Sequence, residues 1–298
     1  MIYRIVHKNT YKYDFPVSVG SHVACLEPRS LPHQKLLSSE LRITPRPATS
    51  TERIDYFGNR LCIFTVQEPH TELLVEARSE VALDVAPPLS RKADLPWELV
   101  AKSLPEDRSP AGLDAYQFAF ESPRIRTHPD FADYALQSFT PGRPLSQALL
   151  DLTSRIHKDF RFDPKVTNVR TPPEEVFRKR HGVCQDFAQV QIACLRSLHL
   201  AARYVSGYLR TYPHPNKPRL VGADASHAWV SVYSPGNGWL DVDPTNNVVP
   251  STDHVTLAWG RDFGDVSPLH GLVIGGGGHT LKVGVDMEPL DSAQSNRA

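Results

Sequence analysis

An excess of charge of one sign is missing: 33 Lys and Arg balance 33 Asp and Glu, for a formal net charge of zero. Proteins that bind nucleic acid or anionic membranes carry a basic surplus, so neither is expected as a partner. Long apolar runs are missing too. The start, Met1-Ile-Tyr-Arg-Ile-Val-His-Lys8, alternates and soon turns polar, unlike the apolar core of a signal peptide, and no uninterrupted run reaches the ~18 residues of a membrane span. The expectation is a cytoplasmic chain. Cysteine is scarce, with only Cys25, Cys62, Cys184 and Cys194, and their scatter forms neither a C-x-x-C pair nor a zinc-ligand spacing. They read as reduced thiols. Histidine is plentiful at 13, but H-E-x-x-H is absent, and neither a metal nor another cofactor is expected.

At 298 residues and 40% hydrophobic content, the chain has material for two domains or one elaborate one. Residues 1–86 read as a small all-β module, a sandwich or barrel. Tyr11, Tyr13 and Phe15 alternate, as do Leu61, Ile63 and Thr65, then Leu73, Val75 and Ala77, and Asp55-Tyr-Phe-Gly-Asn59 supplies a turn. Residues 87–298 form the second domain. Its first part, 87–143, is punctuated by prolines that allow only short helices, one of them from Pro96. Helical spacing returns after Pro144 with Leu145, Leu149, Leu152 and Ile156, and Thr171-Pro-Pro-Glu174 has the form of a capping box for a helix running to Gly182. Strands follow at 202–209, 227–233 and 239–243, the first two separated by a loop with Pro213, Pro215 and Pro218, the last two by a Ser-Pro-Gly-Asn-Gly turn. Gly275–Gly278 reads as a flexible link to a last strand, 279–285, and the final seven residues as a disordered tail. The fold class is α+β, with helices packed on an antiparallel sheet.

The chemistry gathers around Cys184. Phe187, Val190, Cys194 and Leu198 recur at helical spacing behind it, so the cysteine opens a helix buried along that stripe. Unpaired first-turn amides and the positive end of the helix dipole both favour a thiolate over a thiol there. Further along, strand alternation puts His227, Trp229, Ser231 and Tyr233 on one face, and Trp239, Asp241 and Asp243 on one face of the next strand. If Tyr233 pairs with Trp239 across the turn, Asp243 falls opposite Trp229 and diagonal to His227, within side-chain reach. Singly, each residue has an ordinary role: a small buried thiol, a packed imidazole, an aspartate closing a turn. Jointly they give Cys184 as nucleophile, His227 as base and later proton donor, and Asp243 as the group that orients the ring. Asp241 shares the Asp243 face and is the second candidate for that last role. Gln185 and Asp186, in the first turn, read as helix caps. The Cys184 amide is one donor for an oxyanion.

These stretches resemble the bacterial transglutaminase-like proteins. The resemblance is carried by Gly182-Val-Cys-Gln-Asp-Phe-Ala188, Ala202-Arg-Tyr-Val-Ser-Gly207, His227-Ala-Trp229 and Trp239-Leu-Asp-Val-Asp-Pro-Thr245. It extends to the β-rich residues 1–85 and to Ala258-Trp-Gly-Arg-Asp-Phe-Gly-Asp-Val-Ser-Pro268, where Trp259 and the polar stretch 261–265 suit either the rim of a cleft or an ordinary surface loop. The resemblance implies a papain-like core with Cys184, His227 and Asp243 as its triad. It further implies acyl transfer on a peptide or protein amide through a thioester, with hydrolysis favoured over amine transfer. Crosslinking of protein glutamine and a non-catalytic peptide-binding role remain the alternatives. The calcium sites of animal relatives lie outside the triad; without an EF-hand loop, calcium dependence is not implied. Oligomeric state is left open.

Overall fold

The computed structural model describes residues 1–85, 94–212 and 225–290. The expected boundary between residues 86 and 87, the loop at Pro213, Pro215 and Pro218, and the tail 292–298 lie outside them. Among the described residues no helix is long and apolar enough to cross a membrane.

One long strand, β1 (Ile2–Ala24), is the spine of the amino-terminal sheet. With β2 (Gln34–Thr44), β3 (Thr49–Ile54), β4 (Arg60–Val66) and β5 (His70–Leu83), it makes an antiparallel order β2-β5-β1-β4-β3. The first half of β1 pairs with β5 and the second half with β4. The register slips between Lys12 and Val17, around Pro16, which has no N–H to give to a ladder. Tyr3, Ile5, Leu73, Val75 and Val81 fill the inside of the resulting curl. A surface trough of about 340 Å³ between Glu27, Glu52, Arg53, Arg60 and Cys62 also belongs to this sheet, and none of the three triad candidates lines it.

The proline-rich connection does form short helices, α1 (Trp97–Ser103), α2 (Pro110–Tyr116) and α3 (Pro129–Leu136), each starting at a proline or directly after one. In α4 (Leu145–Asp159) the stripe Leu145, Leu149, Leu152 and Ile156 is buried as its spacing requires. β6 (Arg161–Phe162), α5 (Pro173–Lys179) and β7 (His181–Gly182) lead to α6 (Cys184–Ser197). Two expectations change here. Thr171 does not cap α5; its hydroxyl instead accepts from the Asn168 amide at 3.0 Å. The helix also ends before Gly182, at Arg180, which takes the left-handed conformation with φ 56° while its guanidinium lies against Tyr134, Phe160 and Phe177.

α6 is the central helix. It packs on the antiparallel sheet β10-β9-β8-β11, made of β8 (Ala202–Leu209), β9 (Ala225–Ser234), β10 (Gly238–Val242) and β11 (His254–Gly260). It is buried all round and not along one stripe, so its polar residues need internal partners: Gln191 donates to Thr153 at 2.8 Å, and Arg196 reaches the carbonyls of Phe118, Ala202 and Arg261.

The last two strands, β12 (Leu269–Gly275) and β13 (His279–Leu290), return to the amino-terminal sheet and pair along the second and first halves of β1. Residues expected to close the second domain therefore complete the first sheet. The glycines between the strands are not a loose link: Gly275, Gly276 and Gly277 all have positive φ, and Phe15 and Asp14 donate to the carbonyls of Gly276 and Gly278 at 3.0 Å.

The two parts are joined along β11, whose outer edge no strand of its own sheet covers. Gln34 accepts from the Thr256 amide at 2.8 Å and donates to the Thr256 carbonyl at 2.7 Å. Asn59, closing the Asp55–Asn59 turn, does the same for Trp259, at 3.0 and 2.8 Å. Two buried amide side chains thus stand in for a neighbouring strand. Arg29 lies against the Trp259 ring at 3.5 Å, and Arg203 lies against both Trp259 and Trp239 at 3.7 and 4.0 Å. Trp259 is therefore part of this joint. Replacing Gln34 with leucine leaves the buried Thr256 N–H unpaired, while the Thr256 carbonyl keeps the Arg29 amide at 3.2 Å, and chemical denaturation is expected to show a loss of roughly 1–3 kcal/mol. A variant as stable as the parent would refute the clamp.

Candidate active site

Cys184 is the first residue of α6, partly buried, with Val183 extended before it. The start is fixed by Asp186, whose Oδ2 accepts from the Val183 amide at 2.8 Å and from the Thr167 hydroxyl at 2.6 Å. This is the capping role expected of it. Burial raises its pKa, against the lowering effect of these two bonds. The carboxylate also explains Gly182: a Cβ there would stand 2.7 Å from Oδ2, so the glycine serves close approach. No acceptor among the described residues takes the Cys184 amide, which leaves it available to an incoming oxygen.

The hairpin β9–β10 has the expected register, with Trp239 opposite Tyr233 and Asp241 opposite Ser231. Ala228, Val230, Val232, Leu240 and Val242 face the helices. His227 stands on the other face, its side chain 5% exposed, with Nε2 2.7 Å from Asp243 Oδ2. Burial, the largest influence, would lower the pKa of the ring. Hydrogen bonds to Asp243 and to the Cys184 sulfur, and the charges of both, outweigh it and lift the pKa to about 10. With Nε2 on the carboxylate, Nδ1 is the nitrogen left to face the sulfur. The structure therefore brings Cys184, His227 and Asp243 together.

The two oxygens of Asp243 make separate sets of contacts. Oδ1 accepts from the amides of Thr245 and Asn246 at 2.9 and 3.2 Å, holding the turn after the strand. Oδ2 receives His227 at 2.7 Å, Asn246 Nδ2 at 2.7 Å and His254 Nε2 at 3.3 Å. Burial alone would raise its pKa; these hydrogen bonds and the His227 charge hold it well below the usual carboxylate range. Asp241, the second candidate, accepts from Trp229 Nε1 at 3.1 Å.

Asn246 and His254 were not expected from sequence. His254 reaches Asp243 from β11, and the alternation of charge and apolarity that marks the hairpin is absent in a strand whose residues are nearly all buried. Tyr204 of β8 is a third addition: burial first, then the nearby Cys184, Asp186 and Asp262, push its phenol well above its ordinary pKa, keeping a neutral O–H near the sulfur. The ligand atoms of His227, Asp243 and His254 lie close enough together to suggest a metal site. A tetrahedral zinc with bonds of ~2.0–2.1 Å would set its ligands about 3.4 Å apart. The 2.7 Å His227–Asp243 separation is that of a hydrogen bond.

The chain is similar to known proteins over both of its parts. Residues 3–82 match the model of the bacterial transglutaminase-like N-terminal region, and residues 133–244 that of the transglutaminase-like superfamily. An uncharacterized protein of Mycobacterium tuberculosis is 38% identical over 97% of this chain and 93% of its own length. A protein-glutamine gamma-glutamyltransferase of Pseudomonas aeruginosa is 32% identical over 43% of this chain but only 19% of its own length. Among solved structures, a candidate cysteine protease from Cytophaga hutchinsonii superposes with a TM-score of 0.78 at 22% identity, covering 98% of this chain and 91% of that one, a likeness of fold. Matched in order by both models and end to end by its relatives, the chain belongs to the bacterial transglutaminase-like proteins.

Proposed function

We propose that this protein is a thiol-dependent acyl-transfer enzyme acting on amide or peptide bonds, with hydrolysis as its main outcome. One observation carries the reading: the buried imidazole of His227 is hydrogen-bonded to the Asp243 carboxylate at 2.7 Å and lies near enough to the sulfur that opens α6 for the sulfur to help raise its pKa. The Cys184 thiolate attacks the amide carbon, the oxyanion is met by the Cys184 amide, and the His227 imidazolium gives its proton to the departing amine. The thioester formed then reacts with water, whose proton returns to His227 as the acid leaves and the thiolate is restored. Asp243 keeps the ring oriented and its charge balanced.

Water is favoured as acceptor because it needs no second binding site. An amine acceptor uses the same three residues, and the name of the Pseudomonas relative keeps glutamine crosslinking as the second reading. Mass spectrometry of peptide and protein pools incubated with the parent protein or with Cys184→Ala separates them. Cleaved peptides or side-chain amides turned to acids are expected from the parent alone. Amine adducts would move the assignment to transfer. Identical pools from both proteins would leave a peptide-binding role.

A further inference from the structure

The Asp243 carboxylate is met by two imidazoles, and the triad accounts for only one. His254 opens β11 with its side chain 5% exposed, its Nε2 3.3 Å from the oxygen that His227 meets, and its ring 6.0 Å from the His227 ring and edge-on to Trp229. An ionised carboxylate only accepts hydrogen bonds, so this contact puts the His254 proton on Nε2. Nδ1 is then a lone pair, buried and without a hydrogen-bond partner among the described residues. An unpaired buried nitrogen is destabilising, and an apolar side chain would fill the same space without it. Packing alone therefore does not account for a histidine here.

What the ring supplies is a fixed donor. Oδ1 of Asp243 is held by two backbone amides, but among the described residues the only donor on Oδ2 besides His227 and His254 is Asn246, an exposed residue of the following turn. His254 differs in sitting on a buried strand. Two residues along, Thr256 is gripped by Gln34 through both its amide and its carbonyl, so the amino-terminal module holds the strand that presents the ring.

We infer that His254 is a positioning residue of this site: it fixes Asp243 Oδ2 toward His227, and it is itself held in place by the Gln34 clamp on β11. The inference rests on the acyl-transfer reading of Cys184. A loosely held carboxylate orients and stabilises the imidazolium less well, and a weaker imidazolium holds the thiolate less well.

The test reads the sulfur directly and needs no substrate. Iodoacetamide alkylation of Cys184 is followed across pH by peptide mass spectrometry in the parent, His254→Leu and His254→Gln, each with a thermal melt. The parent should alkylate at Cys184 well ahead of Cys62. His254→Leu is expected to react about tenfold more slowly near pH 6, equivalent to a one-unit rise in the acid limb. Its rate should converge with the parent at alkaline pH, and its melting temperature should be no lower. In His254→Gln, whose amide N–H can donate to the same oxygen, most of the rate near pH 6 should return. Superimposable parent and His254→Leu profiles would overturn the inference, as would slowing in both variants accompanied by lower melting temperatures. A parent in which Cys184 reacts no faster than Cys62 would remove the acyl-transfer reading itself, and this inference with it.

Discussion

Cys184→Ala is expected to abolish acyl transfer while leaving the fold standing. On the acyl-transfer reading the sulfur is the atom that bonds to the substrate carbon, and Cys184 is the thiol whose charge helps raise the His227 pKa. Where a nucleophile belongs to a coupled triad, its removal costs on the order of a million-fold in kcat, because the other members then have nothing to activate. Stability should change little, by about 1 kcal/mol or less, since Cys184 is only partly buried and alanine is well suited to a first helical turn. Cys184→Ser should be nearly as inactive, because a hydroxyl does not ionise where a thiol does. Turnover of an amide substrate identified by mass spectrometry, measured beside a denaturation curve, checks both halves. A variant retaining a tenth of the parent rate with an intact fold would rule out the thioester. It would redirect attention to carboxylate chemistry at Asp241 and Asp243. That alternative begins poorly placed, because Asp241 is already held by the Trp229 indole.

The hairpin and the helix start were legible in sequence because each is specified locally. A two-residue period with a tight turn fixes one register, and that register alone brings Asp243 beside His227. The contacts not foreseen join residues far apart in the chain. Gln34 and Asn59 imitate a strand for partners some 200 residues away, β12 and β13 return to a strand at the opposite terminus, and His254 reaches Asp243 from a strand with no polar alternation. None of these leaves a local pattern. Gly182 gave a local signal that pointed to the wrong cause. A glycine after a helix suggests a left-handed cap, yet Arg180 supplies that conformation and Gly182 makes room for the Asp186 carboxylate. The amino-terminal module bears on β11 through Gln34 and Asn59, contacts that no local pattern announces.

Asp243→Asn should lower the pH at which activity is lost on the alkaline side and reduce the rate below it. On the acyl-transfer reading, the His227 imidazolium both pairs with the thiolate and protonates the leaving amine, so activity should fall as pH rises through its pKa of about 10. Burial of the ring pulls in the opposite direction and is the largest influence on it. Without the carboxylate charge, burial is opposed only by Cys184, and the limb should move down by about 1–3 pH units, the usual worth of an adjacent opposite charge. The rate should also drop below that limb. Oδ1 now faces two amide donors, and Oδ2 faces donors from His227, Asn246 and His254. An asparagine has one oxygen for these two sets, so its NH2 must oppose one of them, disturbing either the turn or the tautomer of His227. Loss of the carboxylate in a triad of this kind lowers kcat by roughly ten-thousand-fold. A pH–rate profile of amide turnover, with alkylation of Cys184 as a second readout, would reveal both effects. An alkaline limb that stays near pH 10 in Asp243→Asn would show that the carboxylate does not sustain the His227 charge, and that the order of the triad derived from its 2.7 Å contact is wrong.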